Sequence, residues 1–176
     1  MPVGLCYNWQ MKELIIIAHN LRSAHNVGSL LRTAEGLGAQ VVLSGYTPYP
    51  LLTPDDRLPH LAAKIHKQIS KTALDTESQP IWRRQENIEE LLTSLRTDCF
   101  TVAALEQTAD SIPLPDFAMP DKLALILGRE VEGVEPEVLA LCDQAIVIPM
   151  FGSKESFNVV QAAAMAMYAW RFLSQH

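Results

Sequence analysis

One arginine stands on the polar side of a segment that is patterned as an amphipathic helix. Residues 26–37 carry an apolar stripe at helical spacing, and Arg32 falls on the opposite face, between Gly28 and Gly36. Glycine inside a helix costs about 1 kcal/mol relative to alanine, and a solvated face gains nothing from it. The alternative to a solvated arginine is a face that a ligand or another backbone approaches closely, where a guanidinium can hold an anion.

A second candidate site is the sequence LILGREVEGV, in which a predicted strand ends at Gly128. Its spacing imitates a dinucleotide-binding fingerprint, but Glu130 stands where a glycine must let pyrophosphate approach. A carboxylate there repels phosphate, so we exclude dinucleotide binding. Gly128 and Gly133 favour a tight loop at the carboxyl edge of a parallel sheet, where ligands bind. Glu130 either takes part in chemistry at this edge or accepts hydrogen bonds from loop amides.

Polar side chains also follow the last predicted strand, in the sequence IPMFGSKESFN. Ser156 and Asn158 stand directly before a long apolar segment. Serine and asparagine are common N-cap residues, so each is either a site residue or the cap of the helix that follows.

A basic stripe lies on another predicted helix. Lys64, Lys67 and Lys71 are spaced by three and four residues, which puts them on one face. They either contact phosphates or form a solvated face. The five histidines form no pair at ligand spacing, so we predict no metal site. The sequence also lacks a phosphate-binding loop and a serine-hydrolase motif.

These residues lie on elements that alternate along the chain. Apolar runs predict strands at residues 14–18, 39–45, 100–105, 122–128 and 145–149. Helical patterns occur at residues 26–37, 60–71, 88–96, 135–142 and 157–173. The alternation predicts an α/β fold, a parallel sheet with helices on both faces. Asn26 is the predicted N-cap of the first helix and Gly38 its stop. The last helix is apolar on nearly all sides, which predicts burial by the chain or by a partner.

The composition limits the remaining possibilities. The chain has 176 residues, of which 48% are hydrophobic, as expected of one globular domain. The formal net charge of −6 means that nucleic acid would need a local basic patch. No apolar run approaches the roughly 20 residues that span a bilayer, and no signal peptide is evident. The dispersed cysteines Cys6, Cys99 and Cys142 suggest reduced thiols, so we expect a cytoplasmic protein.

Together, the three stretches resemble the motifs of the SpoU/TrmH family of RNA 2′-O-ribose methyltransferases, in the SPOUT superfamily. HNVGSLLRTAEGLGA, LILGREVEGV and IPMFGSKESFNVVQAAA occur in family order and spacing, across most of the chain. The resemblance implies S-adenosylmethionine (SAM) as methyl donor without a metal, an RNA substrate (tRNA or rRNA), and a homodimer. It also implies a C-terminal deep trefoil knot, which general topology rules would exclude. Residues 1–176 are then expected to form a single SPOUT methyltransferase domain without an added N-terminal RNA-binding domain.

The resemblance also assigns roles to individual residues. Arg32 takes the family's catalytic arginine position, with Asn26 as its companion, and the other polar active-site positions are Glu130, Ser156 and Asn158. The positions implied for SAM are Ala104, Leu105, Leu127, Gly128, Ile148, Met150 and Ser156. Because arginine is always protonated, we assign Arg32 to holding a phosphate and stabilising a developing oxyanion rather than to general base catalysis. The flanking glycines would then make room for an RNA backbone, and the Lys64, Lys67 and Lys71 stripe would contact RNA phosphates.

The sequence departs from the family pattern at two places. It reads KTALDTE, with Asp75 and Thr76 where relatives often have Gly-Ala, and Val160 follows Asn158-Val159 where a serine is usual. Two other functions stay open. A doubly wound nucleotide-binding enzyme would need a phosphate loop, against which Glu130 argues. A non-catalytic RNA-binding module would have a decayed site, whereas all polar motif positions are filled here.

Overall fold

A parallel sheet forms the centre of the protein. The structure, a computed structural model, describes residues 12–173, so that Cys6 lies outside the described residues. Within this range the strands are β1 (Glu13–His19), β2 (Gln40–Ser44), β3 (Trp82–Gln85), β4 (Thr101–Leu105), β5 (Ile112–Pro113), β6 (Lys122–Leu127) and β7 (Gln144–Val147). All neighbouring strands are parallel, in the order β3-β2-β1-β6-β4-β7-β5. The predicted parallel α/β sheet is confirmed.

Helices cover both faces of this sheet, as predicted. They are α1 (Ala24–Leu37), α2 (Pro59–Ala73), α3 (Ile88–Thr97), α4 (Pro136–Leu139) and α5 (Val159–Tyr168). Alternate residues of β1 reach opposite sides: Leu14 and Ile16 pack in one core with α1, α2 and α5, whereas Ile17 packs in the other with α3 and α4. No helix within residues 12–173 is long and apolar enough to cross a membrane.

Helix α1 begins earlier than predicted. Ser23, not Asn26, is its N-cap, because the Ser23 side chain accepts a hydrogen bond from the Asn26 backbone N–H (3.2 Å). The Asn26 side chain is therefore free for other contacts. The predicted stop is confirmed, since Gly38 ends the helix in the left-handed conformation. The predicted apolar stripe is buried at Val27, Leu30, Leu31 and Ala34.

Two strands lie outside the predicted set, and both are edges of the sheet. The β3 sequence is WRRQ, and β5 contains Pro113. Each pairs with a single neighbour, so neither needs a continuous apolar run. Helix α4 is shorter than the predicted 135–142, and α5 starts at Val159 and continues as a π-helical turn, Ala169–Leu173.

Strand β7 enters the sheet between β4 and β5, although those two strands follow one another in the chain. Ile146 of β7 pairs with Leu105 on one side and with Ile112 on the other. The connection formed by residues 106–111 therefore crosses from one side of β7 to the other, near the carboxyl end of that strand. The loops after β1, β4, β6 and β7 all meet at this edge, where the sequence places its candidate site.

Candidate active site

Residues of the first two motifs meet at the start of α1. Glu130 accepts hydrogen bonds from the backbone N–H groups of Arg22 (3.1 Å) and Ser23 (3.1 Å) and from Nδ2 of Asn26 (3.0 Å). Burial alone raises the pKa of the Glu130 carboxyl, but these hydrogen bonds outweigh it and hold the pKa below its ordinary value. Glu130 is therefore an ionised acceptor that fixes the entrance of α1, where a helix favours negative charge.

Asn158 of the third motif joins the same group. Its Nδ2 donates to Oδ1 of Asn26 (3.4 Å), and its Oδ1 accepts from the backbone N–H of Val160 (2.9 Å). Asn158 is thus both the N-cap of α5 and a member of the site. The structure therefore brings together Asn26, Glu130 and Asn158 from three distant parts of the chain, which we call the Glu130 cluster.

The loop that carries Glu130 is closed by two backbone hydrogen bonds between Arg129 and Gly133, both 3.0 Å. A Cβ on Gly128 would overlap the backbone of Gly133. Gly133 itself has φ 73°, and a Cβ there would overlap the Glu106 carboxylate. Both glycines are required by the close approach of the loop ends, so the predicted tight loop is confirmed.

A cleft opens beside this loop, between the carboxyl ends of β4, β6 and β7 and the segment before α5. The predicted SAM-binding residues that line it are Leu105, Gly128, Ile148, Met150 and Ser156. Ala104 and Leu127 do not line it: they are 0% and 1% exposed and pack in the two cores. Their side chains point into the cores, so a contact with a ligand at this edge would have to come from their backbone, and their assignment stays a prediction.

The cleft wall is acidic. Among the described residues, one basic residue lines the cleft, Arg129. Four acidic residues line it, Glu106, Glu130, Glu132 and Glu155. The sequence prediction contained Glu130 alone, since nothing in the local pattern shows that the other glutamates share its cleft. Such a wall favours a ligand with positive charge.

Arg32 lies apart from the Glu130 cluster. It is exposed, and it follows Asn26 by six residues, which separates them by about 9 Å along the helix axis. Among residues 12–173, none forms a hydrogen bond or ion pair with its guanidinium. It borders a shallow depression together with Ser29, Thr33 and Gly36. One chain alone does not bring Arg32 to the cluster.

The two glycines near Arg32 have different surroundings. Gly28 faces α2, where a Cβ would overlap the carbonyl oxygen of Ile69 and Oγ1 of Thr72. The interpretation that Gly28 makes room for RNA is wrong, because the backbone that approaches it belongs to α2. Gly36 has no atom within 4 Å of an added Cβ, so the space above it is open.

The predicted basic stripe occupies the exposed face of α2. Lys64, Lys67 and Lys71 are all exposed, and α2 contains no aspartate or glutamate. Exposure is compatible with phosphate contacts and with a solvated face alike, so the RNA-binding role stays a prediction. Within residues 12–173, no group of three histidine, cysteine or acidic side chains could hold a metal ion.

Both departures from the family motifs have structural correlates. Asp75 adopts φ 71°, in the left-handed region that favours glycine, at the position where relatives often carry glycine. Val160 is 9% exposed and packs in the core with α1 and β1. The apolar side chain therefore replaces a polar one in a buried environment.

A polar network behind the loop that carries Glu130 was not among the predicted site residues. It joins His19 and Asn20, at the end of β1, to Glu135. Asn20 and Glu135 are 115 residues apart, so no local pattern in the sequence could indicate their contact.

The sequence is similar to those of known RNA methyltransferases. The model of the SpoU rRNA Methylase family matches residues 13–168. The chain is 25% identical over 162 residues to the tRNA (guanosine(18)-2′-O)-methyltransferase of Aquifex aeolicus, covering 90% of this chain and 69% of that protein. It is 30% identical over 156 residues to the 23S rRNA (guanosine-2′-O-)-methyltransferase RlmB of Bordetella pertussis, covering 88% and 58%.

A solved structure shares the fold. The AdoMet-bound rRNA methyltransferase from Sinorhizobium meliloti matches with a TM-score of 0.76 at 21% identity, over 92% of this chain and 57% of that one. The chain thus spans 57% to 69% of the lengths of these three proteins. The family match includes the whole sheet and all three motifs that meet at the cleft, and it confirms the resemblance: the chain belongs to the SpoU rRNA Methylase family.

Proposed function

We propose that this protein transfers the methyl group of SAM to a ribose 2′-hydroxyl of tRNA or rRNA. The observation that carries the proposal is the Glu130 cluster, in which all three motifs of a methyltransferase family meet beside one cleft. The relative from Aquifex aeolicus is named for tRNA and that from Bordetella pertussis for 23S rRNA. The proposal therefore names both classes of RNA.

The cleft has the chemistry that SAM requires. Leu105 and Ile148 offer apolar surface for a flat base, next to the backbone of Gly128. The four glutamates of the wall suit a ligand with a sulfonium and an ammonium group. When bound, SAM supplies a methyl group activated by the positive charge on its sulfur.

The contribution of the chain's own residues is alignment. Ionised Glu130 fixes the Asn26 side chain, which in turn contacts Asn158 at the mouth of the cleft. Holding the ribose there places its 2′-oxygen in line with the methyl group. The donors around Glu130 and its lowered pKa suit an anchor rather than a base. Arg32 is permanently charged and exposed, so it can grip an RNA phosphate and stabilise negative charge on the attacking oxygen.

We further propose a homodimer. In one chain Arg32 is remote from the Glu130 cluster, so a second copy is needed if Arg32 is to reach a cleft. Tyr168 and Leu173, near the end of α5, are 52% and 64% exposed, whereas Ala163 and Met167 are covered by the chain itself. Light scattering should give twice the monomer mass of 19.6 kDa, and the monomer mass would contradict the dimer.

A C-terminal trefoil knot and a cytoplasmic location are also part of the proposal. The knot is supported by the position of β7 between Leu105 of β4 and Ile112 of β5, two strands that residues 106–111 connect directly. The location is supported by the free thiols of Cys99 and Cys142.

Calorimetry with SAM, in the presence of a chelator, tests the cofactor. We expect wild type to bind SAM. Ser156→Trp should lose binding, because the large side chain would project from the wall and fill the cleft. Ser94→Trp is the matched control, since Ser94 is also exposed but lies on α3 and does not line the cleft. Absence of heat with wild type at high micromolar protein would exclude the enzyme.

Transfer of labelled methyl groups to total tRNA and rRNA then separates an enzyme from a non-catalytic RNA-binding module. Label should appear on a 2′-oxygen, and mapping the RNA of a deletion strain for a missing 2′-O-methyl group identifies the nucleotide. RNA binding without any transfer would favour the non-catalytic module.

A further inference from the structure

A short chain of hydrogen bonds runs behind the loop of residues 129–135, which we call the Glu130 loop. Asn20 is at its centre. Its Nδ2 lies 2.8 Å from Oε1 of Glu135 and 3.0 Å from Nε2 of His19, and its Oδ1 accepts from the backbone N–H of Tyr46 (3.1 Å). Both amide hydrogens and the amide oxygen of Asn20 are therefore used.

The amide of Asn20 determines the state of His19. An amide nitrogen can only donate, so Nε2 of His19 must accept and its proton is on Nδ1. Nδ1 lies 2.9 Å from Oγ of Ser44, which completes the chain from β2 to the Glu130 loop. His19 is 5% exposed, and burial lowers its pKa against the opposing effect of Glu135. The ring is therefore neutral near pH 7, as this hydrogen-bond pattern requires.

Glu135 connects this chain to both ends of the Glu130 loop. It is itself at the end of the loop, and its Oε1 is 3.4 Å from Nε of Arg129 at the beginning. The tip of the loop carries Glu130, which binds the backbone N–H groups of Arg22 and Ser23. These two residues follow Asn20 almost directly. Asn20 thus lies where the loop and the entrance of α1 are held together.

Asn20 also has an unusual backbone. Its φ is 56°, in the left-handed region that asparagine adopts more readily than other residues with side chains. This conformation turns the chain away from β1 and directs the amide toward Glu135. A residue without donors at this point would leave the Glu135 carboxylate with fewer partners and release the loop.

We infer that Asn20 is a positioning residue, which aligns Glu130 for methyl transfer by fixing the Glu130 loop through Glu135. The inference rests on the proposed function for its catalytic consequence. A shift of the loop displaces Glu130 and with it the Asn26 side chain, although Asn20 touches neither SAM nor RNA.

The sharpest test exchanges the amide of Asn20 and the carboxylate of Glu135. Asn20→Asp keeps the shape and the acceptor for Tyr46 but removes both donors, and it adds a charge beside Glu135. The double variant Asn20→Asp/Glu135→Gln restores one donor and one acceptor in reversed order. His19 can then donate from Nε2 while the Ser44 hydroxyl donates to Nδ1, so the chain from Ser44 to position 135 can form again, whereas the ion pair with Arg129 is lost.

Asn20→Asp should lower kcat by about tenfold or more, because the reacting groups lose alignment. The SAM Kd and the RNA KM should stay within about twofold, which loss of folded protein would not explain. The double variant should recover part of the lost kcat, since the chain through position 20 forms again but the ion pair with Arg129 does not. Asn87→Asp is the matched control, since Asn87 caps α3 through its side-chain oxygen alone and should be unaffected.

Wild-type kcat in Asn20→Asp, or a double variant no faster than Asn20→Asp, would overturn the inference. If Asn20→Asp does not fold, Asn20→Gly replaces it, because glycine accepts the left-handed backbone without the side chain. Hydrogen exchange of residues 129–134 gives a readout independent of activity. It should accelerate in the single variants and slow again in the double variant, even if wild type transfers no methyl group. Unchanged exchange in every variant would also refute the role of Asn20.

Discussion

Replacing each glycine of α1 with alanine should change stability in opposite directions. Gly28 packs against α2, and a Cβ there would overlap the Ile69 carbonyl oxygen and the Thr72 hydroxyl and come within 3.0 Å of the Ala73 nitrogen. Two of these three atoms are backbone, so no side-chain rotation relieves the overlap. The two helices must move apart.

The sizes of the two effects follow from this geometry. Overpacking costs up to about 3 kcal/mol, and alanine in place of helical glycine returns about 1 kcal/mol. Gly28→Ala should therefore lower the free energy of unfolding by about 2 kcal/mol. Gly36→Ala meets no atom within 4 Å, so it should raise that free energy by about 0.5–1 kcal/mol near the helix end.

Urea unfolding at 25 °C measures both values, provided that the m-values of the variants agree. Equal or greater stability of Gly28→Ala would refute the close approach of α1 and α2. Methyl transfer by Gly36→Ala adds a second result from the same proteins. A more stable variant with slower transfer would show that RNA occupies the open space above Gly36, and unchanged transfer would show that it does not.

Three further predictions concern charged and titratable groups. Arg32→Lys keeps the charge but loses the planar fork, so methyl transfer should fall by at least about 100-fold, about 2.7 kcal/mol, with SAM affinity and Tm unchanged; near-normal turnover would leave charge alone as the requirement. Combined alanine substitution of Lys64, Lys67 and Lys71 should weaken RNA binding and flatten its salt dependence, and unchanged binding would make the stripe a solvated face. Burial lowers the pKa of His19, so the folded protein binds fewer protons than the unfolded chain below about pH 6.5 and loses stability as the pH falls. Urea unfolding of His19→Gln should show a smaller decrease in the free energy of unfolding over this pH range, and a pH dependence identical to that of wild type would contradict the buried neutral ring.

The sequence was sufficient to predict those features of the fold that depend on residues close together in the chain. The stripe of α1, its stop at Gly38 and the alternation of strands and helices are local patterns, and they predicted the sheet and the edge at which the site lies. The tight loop between Gly128 and Gly133 was predictable for the same reason, because the conformational demand falls on the glycines themselves.

Contacts between distant segments were not predictable in this way. The pattern of α1 showed that Gly28 is unusual but not which backbone approaches it, and that backbone belongs to residues about 40 positions later. Ser23 and Asn26 are both good capping residues, and the choice depends on Glu130, which binds the Ser23 amide and the Asn26 side chain. The separation of Arg32 from the Glu130 cluster could not be predicted either. The family motifs assign both to one active site, and only the fold shows that they lie apart within one chain.

The position of β7 has a consequence for how the chain is completed during synthesis. Within residues 12–173 the edge strand β5 pairs with β7 alone, so about thirty residues must follow it before this partner emerges. Until then the cleft lacks the wall that Ile148 and Ser156 provide. A nascent or truncated chain that ends before β7 therefore lacks part of the cleft in which we propose that the methyl donor binds. On that proposal, cofactor binding would begin only when β7 and the segment before α5 have joined the sheet.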